Sequence, residues 1–375
     1  MRANFDSLKF AVEGLSGGKN TVIFDDRDMP SIMVKIPKMK NAQLISGGDQ
    51  EYHDAFKLDT AVYDCLYIGK YLATVVNDRA YSLPGKDPRT SVNFNKAREY
   101  CRNKGAGWHL PTNALYAAIA LWCKQNKTQP HGNTQWGKDY AATFETGAPT
   151  TLDTGNTDHK TDPAHTATGS GPDSWYHDFN AATGIADLCG NVWEWASGLR
   201  LKDGQIQIIP YGDAMKDTLT GDQDIMGENS SKWKAIASNG DIVETSAADT
   251  LKYDYKTECG DDAQGITMKK GTLSHKQSTE SHYAYSKFNA VEKEEGISAM
   301  PKRAILLGLY PENAEDTAYD KRGGLWIRNM GERLPIRGGG WYNGTNAGVF
   351  ALNLSDLRSY ANGDIGFRVA FYGNL

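Results

Sequence analysis

Apolar and polar positions change rhythm several times along the chain, and each change marks an element. The first 28 residues are polar on balance and close on the acidic run Asp25-Asp26-Arg27-Asp28. They read as a lead-in ending in a solvated turn. From Ser31 the pattern turns apolar (Ile32, Met33, Val34, Ile36), which predicts a first strand, and a Tyr/Val-rich stretch over Ala61 to Leu72 predicts a second. A helix is predicted over Phe94 to Asn103 with Asn93 as its N-cap. A second is predicted after Leu110-Pro111, capped by Thr112, with Leu115, Ala118, Ile119 and Trp122 spaced i, i+3, i+4, i+7. That spacing assigns Trp122 to the core.

Residues 125–175 lose this periodicity and fill with Thr, Gly, Asp, Asn and His. Asp153, Asn156, Asp158 and Asp162 sit close in sequence, but their spacing misses the EF-hand template and its closing Glu, so the segment reads as a polar surface loop. Residues 199–332 mix a strand-like piece (Ile206 to Pro210), charged stretches and an apolar run from Ala304 to Tyr310, and read as a long insertion. From Leu334 the chain becomes rich in Gly, Asn, Ser and Tyr, opening on Arg337-Gly338-Gly339-Gly340-Trp341 and closing on Gly366-Phe367-Arg368.

Composition narrows the function. With 39% hydrophobic and 23% charged residues the chain is ordinary for a globular protein. Its net charge of -5, without a basic block, gives no electrostatic footprint for nucleic acid. No secretory h-region follows Met1, and no apolar run is long enough to span a bilayer. The five cysteines (Cys65, Cys101, Cys123, Cys189, Cys259) are odd in number and form no C-x-x-C pair, so they read as small buried hydrophobes. None of the eight histidines shows the i, i+4 pairing of a helical metal site.

Three segments in order carry a resemblance: Ala97 to Thr112, Gly184 to Trp195 with its Gly190-Asn191-Val192-Trp193-Glu194-Trp195 core, and Arg337 to Trp341 answered by Gly366 to Arg368. Together they resemble the formylglycine-generating-enzyme (sulfatase-modifying factor) family over roughly residues 31–200 and 334–371. The implied architecture is α+β: a C-type-lectin-like fold of the formylglycine-generating-enzyme type, with a long insertion before a C-terminal variable segment. On this reading residues 1–28 serve attachment or oligomerisation, and 29–375 form the domain, with the insertion at 199–332 and the variable segment at 341–364. Period 2 places Trp193 and Trp195 on one face and Val192 and Glu194 on the other. Arg337 and Arg368 are both candidate partners for a buried acid such as Glu194.

The family's oxidases hold copper with a cysteine pair after the RGGS-like motif, and residues 338–375 contain no cysteine. Iron-dependent relatives need a histidine cluster that this chain lacks. The resemblance therefore implies no enzyme, no catalytic residue, no metal and no cofactor, with a copper- and oxygen-dependent oxidase as the alternative and a non-binding structural virion component as a third reading.

A second branch of the same fold fits better. These are the variable proteins of diversity-generating retroelements, which include phage tropism determinants. Their last segment is rewritten at adenines. Randomising the first two bases of AAC or AAT never yields Lys, Glu, Gln, Met, Trp or a stop. Residues 342–364 contain none of those five residues. The resemblance then implies a ligand-binding face made of Tyr342, Asn343, Asn346, Asn353, Ser355, Asp356, Tyr360, Asn362, Gly363 and Asp364. Val349, Phe350, Leu352 and Leu354 are expected to pack inward beneath it. The expected partner is a protein or glycan receptor on a target cell surface. The setting would be a phage tail-fibre tip or a bacterial surface, in a homo-oligomer, with neither nucleic-acid binding nor membrane insertion.

Overall fold

The computed structural model describes residues 2–58, 61–217, 224–257, 263–313 and 322–373; Cys259 lies outside them. Two sheets dominate. The first has five strands in the order Asn20–Phe24, Pro30–Pro37, Cys65–Gly69, Ala370–Phe371, Trp108–His109, so the last strand of the chain pairs between early ones.

The lead-in is more structured than its polarity suggests. Arg2–Leu15 is helical, and Asn20–Phe24 is the edge strand of the first sheet, with Val22 and Ile23 buried. Five residues between a polar helix and an acidic run offer too short an apolar window to register as a strand. The acidic run is a turn, yet Asp25 is buried. Burial alone would raise its carboxyl pKa. Hydrogen bonds from the Tyr81 hydroxyl, the Met29 and Arg27 amides and Arg79 reverse that and hold it below the ordinary value.

Both predicted helices form. Asn93 Oδ1 accepts from the Lys96 amide at 2.9 Å at the start of Phe94–Arg102, and Thr112 Oγ1 accepts from the Leu115 amide at 3.1 Å at the start of Asn113–Asn126. Trp122 packs against the core cluster at its margin. It is half-buried and packs its ring on His177, with centroids 5.2 Å apart. The stretch from Ala61 to Leu72 is two strands, Ala61–Val62 and Cys65–Gly69.

The second, larger sheet carries the C-terminal segment. Trp193–Trp195 lies between Glu332–Gly338 (antiparallel) and Ile365–Gly366 (parallel). Gly348–Asp356 is paired on both edges, antiparallel to Glu332–Gly338 and parallel to Gly324–Ile327. Strands from 199–332, among them Leu199–Lys202 and Gln205–Ile208, continue the same sheet through Leu201 opposite Arg333. Large apolar clusters fill the interior. One surrounds the helix Asn113–Asn126 and reaches Phe350, Leu352 and Leu354; another holds Trp108, Trp193, Trp195 and Phe367.

Candidate functional site

Within Gly348–Asp356 the side chains of Val349, Phe350, Leu352 and Leu354 are buried, as their apolar character requires. With hydrogen-bonded strands on both sides, this backbone is a fixed platform, and the segment 357–364 folds back beside it. Platform and return segment form one wall of a groove of about 370 Å³. Eight of the ten candidate residues line it: Tyr342, Asn343, Asn353, Ser355, Asp356, Tyr360, Asn362 and Asp364.

The other two lie outside the groove. Asn346 Oδ1 accepts from the Tyr285 hydroxyl at 2.6 Å and from Lys287, which ties it to the strand Ala284–Lys287. Gly363 is half-buried, with its carbonyl 3.1 Å from His165 Nε2.

The expected face is less exposed than sequence alone implies. Ser355, Asp356 and Asp364 are 7%, 8% and 7% exposed, whereas Tyr342 and Tyr360 are 44% and 43% exposed. Three buried residues in succession, Leu354 to Asp356, break the period-2 rule because core packs against one side of the strand and the groove walls enclose the other. Two asparagines also brace the backbone. Asn343 Oδ1 accepts from the Gly340 amide at 2.7 Å, and Asn353 Oδ1 from the Ser355 amide at 2.7 Å.

The facing wall comes from residues that sequence reasoning gave other roles or none. Trp193, read as core, stands edge-on to Trp326 at 5.3 Å, and both line the groove with Tyr283 and Arg328. Tyr283, Trp326 and Arg328 belong to the 199–332 segment. Arg328 donates to the carbonyls of Ser355 and His282, each at 3.0 Å, and so clips the two walls together. Only the parallel pairing of Leu325 with Leu352 and Trp326 with Asn353 brings these residues here, and no local signal encodes it.

Two carboxylates, Asp356 and Asp364, line the groove. Burial pushes the Asp356 carboxyl up to about 6; the nearby Arg328 offsets this in part and Asp364 adds to it. Burial also raises Asp364, against the hydrogen bond that Tyr342 donates to its Oδ2. The Tyr342 phenol is raised in turn, by its own burial and by Asp364. The folded state thus holds the Asp356 proton more tightly than the unfolded chain does, so ionised Asp356 costs stability above about pH 6, and the cost fades as pH falls from about 6 to about 4. Asp356→Asn is expected to stabilise the protein by about 1–3 kcal/mol at pH 7.5 and to make little difference at pH 4. Urea denaturation at both pH values measures this; equal effects at the two would contradict it.

The sequence motifs hold the platform. Glu194 pairs with Arg368, not Arg337: Arg368 Nη2 lies 2.7 Å from Oε1. Arg337 instead donates to Asn113 Oδ1 and to the carbonyls of Leu307 and Gly308. Gly339 sits at φ +90°, where a Cβ would lie 2.5 Å from the Ala347 side chain, so only glycine fits. The acidic loop holds aromatic rings: Asp153 Oδ2 accepts from the indoles of Trp136 (2.9 Å) and Trp341 (3.2 Å), and Asp162 pairs with His159 at 2.8 Å. Among the described residues no group of three or more His, Cys, Asp or Glu side chains is arranged to hold a metal. Cys101, Cys123 and Cys189 are buried and Cys65 is half-buried.

With this geometry in view, the chain compares with known proteins as follows. Residues 70–243 match the sulfatase-modifying factor enzyme 1-like domain, and the architecture is α+β. Among solved structures the chain is similar to Treponema denticola variable protein 1 (12% identity, 94% of this chain and 98% of that one, TM-score 0.33). It is also similar to PvdO from Pseudomonas aeruginosa (14% identity, 94% and 97%, TM-score 0.32). A third likeness is to the Major Tropism Determinant P3c variant (11% identity, 94% and 71%, TM-score 0.31). No curated protein matches the chain.

Proposed function

We propose that this chain is a receptor-binding variable protein, a phage tail-fibre adhesin or bacterial surface-display protein whose groove is its contact site and whose C-terminal residues are diversified by a retroelement. The observation that carries the reading is convergence. Eight of the ten positions that the resemblance implies meet in one groove, on and beside a strand whose apolar side chains and two paired edges fix the backbone whatever those positions hold. Tyrosine and asparagine are suited to such a surface, since Tyr gives rigid amphipathic contact area at low entropy cost and Asn gives adaptable hydrogen bonds.

The oxidase reading draws on the matched domain over 70–243. It needs accessible thiolates. Burial drives the thiol pKa values of Cys101 and Cys123 upward, and none of the four described cysteines lines the groove. The groove's aromatic and amide residues favour binding. No helix among the described residues is long and apolar enough to cross a membrane.

The test is panning of the purified protein against displayed peptides and against surface extracts of candidate host cells, followed by alanine substitution. Tyr342→Ala and Tyr360→Ala are each expected to weaken the selected partner at least tenfold, about 1.4 kcal/mol or more, because exposed tyrosines near the centre of a contact patch are typical hot spots. Binding that survives both changes would overturn the reading. Beside the gene, a reverse transcriptase and a near-copy of codons 341–368 differing only at adenines would support the retroelement.

A further inference from the structure

Two buried carboxylates face the groove without a counter-ion. Asp356 and Asp364 are both more than nine-tenths buried and form no ion pair among the described residues. Asp356 Oδ2 accepts one weak bond from the Asn353 amide at 3.2 Å. Asp364 Oδ2 accepts from Tyr342, and its Oδ1 accepts no hydrogen bond from any other residue. The guanidinium groups that act on Asp356 hydrogen-bond elsewhere and form no ion pair with it: Arg328, which lines the groove, donates to the carbonyls of Ser355 and His282, and Arg333 to the Met330 carbonyl and Glu280, with Arg333 Nη1 left unbonded. A buried carboxylate is expensive unless it is paired and hydrogen-bonded. Here the missing partner has an open way in, because the two acids line a groove that opens between exposed tyrosines.

Aromatic rings stand around these acids. Trp193, Trp326, Tyr342 and Tyr360 line the same space. Aromatic faces attract cations, and carboxylates attract them more strongly. A volume of about 370 Å³ is at the small end for ligand pockets, which run from roughly 300 to 1,000 Å³, and suits one long side chain.

We propose that the groove of this particular variant captures a cationic side chain of a protein receptor, an arginine above all. The inference rests on the binding reading given above and names the chemistry that the groove selects. Arginine fits best on two counts. Its planar fork donates up to five hydrogen bonds and can reach the Asp356 carboxylate, where only Oδ2 has a partner, with Asp364 adding negative charge beside it although Asp364 Oδ1 itself is sealed off, and the same plane stacks on indole and phenol rings. A quaternary ammonium head group has no N–H to donate to the Asp356 carboxylate. Because Asp356 and Asp364 are themselves positions reachable from an Asn codon, arginine selectivity belongs to this variant and would change when they do.

The test uses three probes on the full chain: N-acetyl-arginine amide, its neutral isostere N-acetyl-citrulline amide, and choline. Binding is read from tryptophan fluorescence and from the indole NMR signals of Trp193 and Trp326. The arginine amide is expected to bind at least tenfold more tightly than citrulline or choline. Asp364→Asn is expected to erase the preference over citrulline. Asp356→Asn, expected above to fold more stably than the parent, repeats the test should Asp364→Asn fail to fold. Citrulline or choline binding as tightly as arginine, no arginine binding at tens of millimolar, or an arginine preference that survives the aspartate changes would each overturn the proposal. Should it fall while the panned partner still depends on Tyr342 and Tyr360, the binding reading stands and only the ligand class is wrong. Loss of that tyrosine dependence would remove the reading itself.

Discussion

Replacing Glu194 by Gln is expected to destabilise the protein by about 3–5 kcal/mol, because it leaves the Arg368 guanidinium buried without its counter-charge. Arg368 is 0% exposed and Glu194 1%. Beyond the carboxylate, Arg368 donates to the carbonyls of Gly69, Ala186 and Asp187, while Glu194 Oε2 also accepts from the Tyr116 hydroxyl at 2.7 Å. One ion pair therefore joins the end of the strand Cys65–Gly69, the motif segment 186–195, the helix Asn113–Asn126 and the chain just before its final strand. Arg368→Met should cost a similar amount for the mirror-image reason, a buried carboxylate left with only a tyrosine. The double variant Glu194→Gln/Arg368→Met should cost much less than the sum, since two neutral groups replace two charges, though three carbonyls still lose their donor. Denaturant unfolding of the three variants measures the coupling. Single-variant losses below about 1 kcal/mol, or full additivity, would show that the pair carries little of the stability.

That pair was partly legible in the sequence. Two arginines in glycine-rich motifs and one glutamate between tryptophans define a small set of pairings, but even the sheet does not choose between them, since Glu194 sits opposite Arg337 on one side and Gly366 on the other; Arg368 takes the acid because Arg337 turns to Asn113 on the helix capped by Thr112. Local signals did best where the physics is local. Asn93 and Thr112 cap the helices they were predicted to cap, and Val349 to Leu354 bury their apolar side chains. Local reading ended where contacts are long-range. The groove wall from Tyr283, Trp326 and Arg328 depends on a parallel strand pairing inside a segment that reads only as an insertion. The burial of Ser355 and Asp356 follows from the same wall. Neighbouring residues of a strand point to opposite faces, and the register shift against Glu332–Gly338 between Asn353 and Asp356 lets both line the groove. The candidate positions therefore divide by depth: exposed tyrosines at the mouth of the groove, buried acids, and asparagines that also brace the turn and the strand.

The two tryptophans of the Gly190–Trp195 motif should separate in the same way. Sequence period gives them one role, since both fall on one face of a strand. In the structure Trp195 is wholly enclosed: its indole donates to the Val92 carbonyl at 2.7 Å and its ring meets Phe94 edge-on at 5.9 Å. Trp195→Ala is expected to cost about 3–5 kcal/mol, through lost burial, a cavity that the paired strand cannot close, and an unsatisfied carbonyl. Trp195→Phe keeps much of the volume and isolates the carbonyl's share, on the order of 1–3 kcal/mol. Trp193 is equally dry at 3% exposed, but one side of it faces the groove. Water or a shifted Trp326 can enter the space it vacates, so Trp193→Ala should cost at least about 1 kcal/mol less than Trp195→Ala, because the cost of truncation depends on how well the site relaxes. Its larger effect should fall on binding, by removing the ring that Trp326 leans on. Unfolding free energies and partner affinity, measured on the same three variants, test both halves. If Trp193→Ala destabilises as much as Trp195→Ala and leaves affinity unchanged, Trp193 is core and the groove's aromatic wall plays no part in recognition.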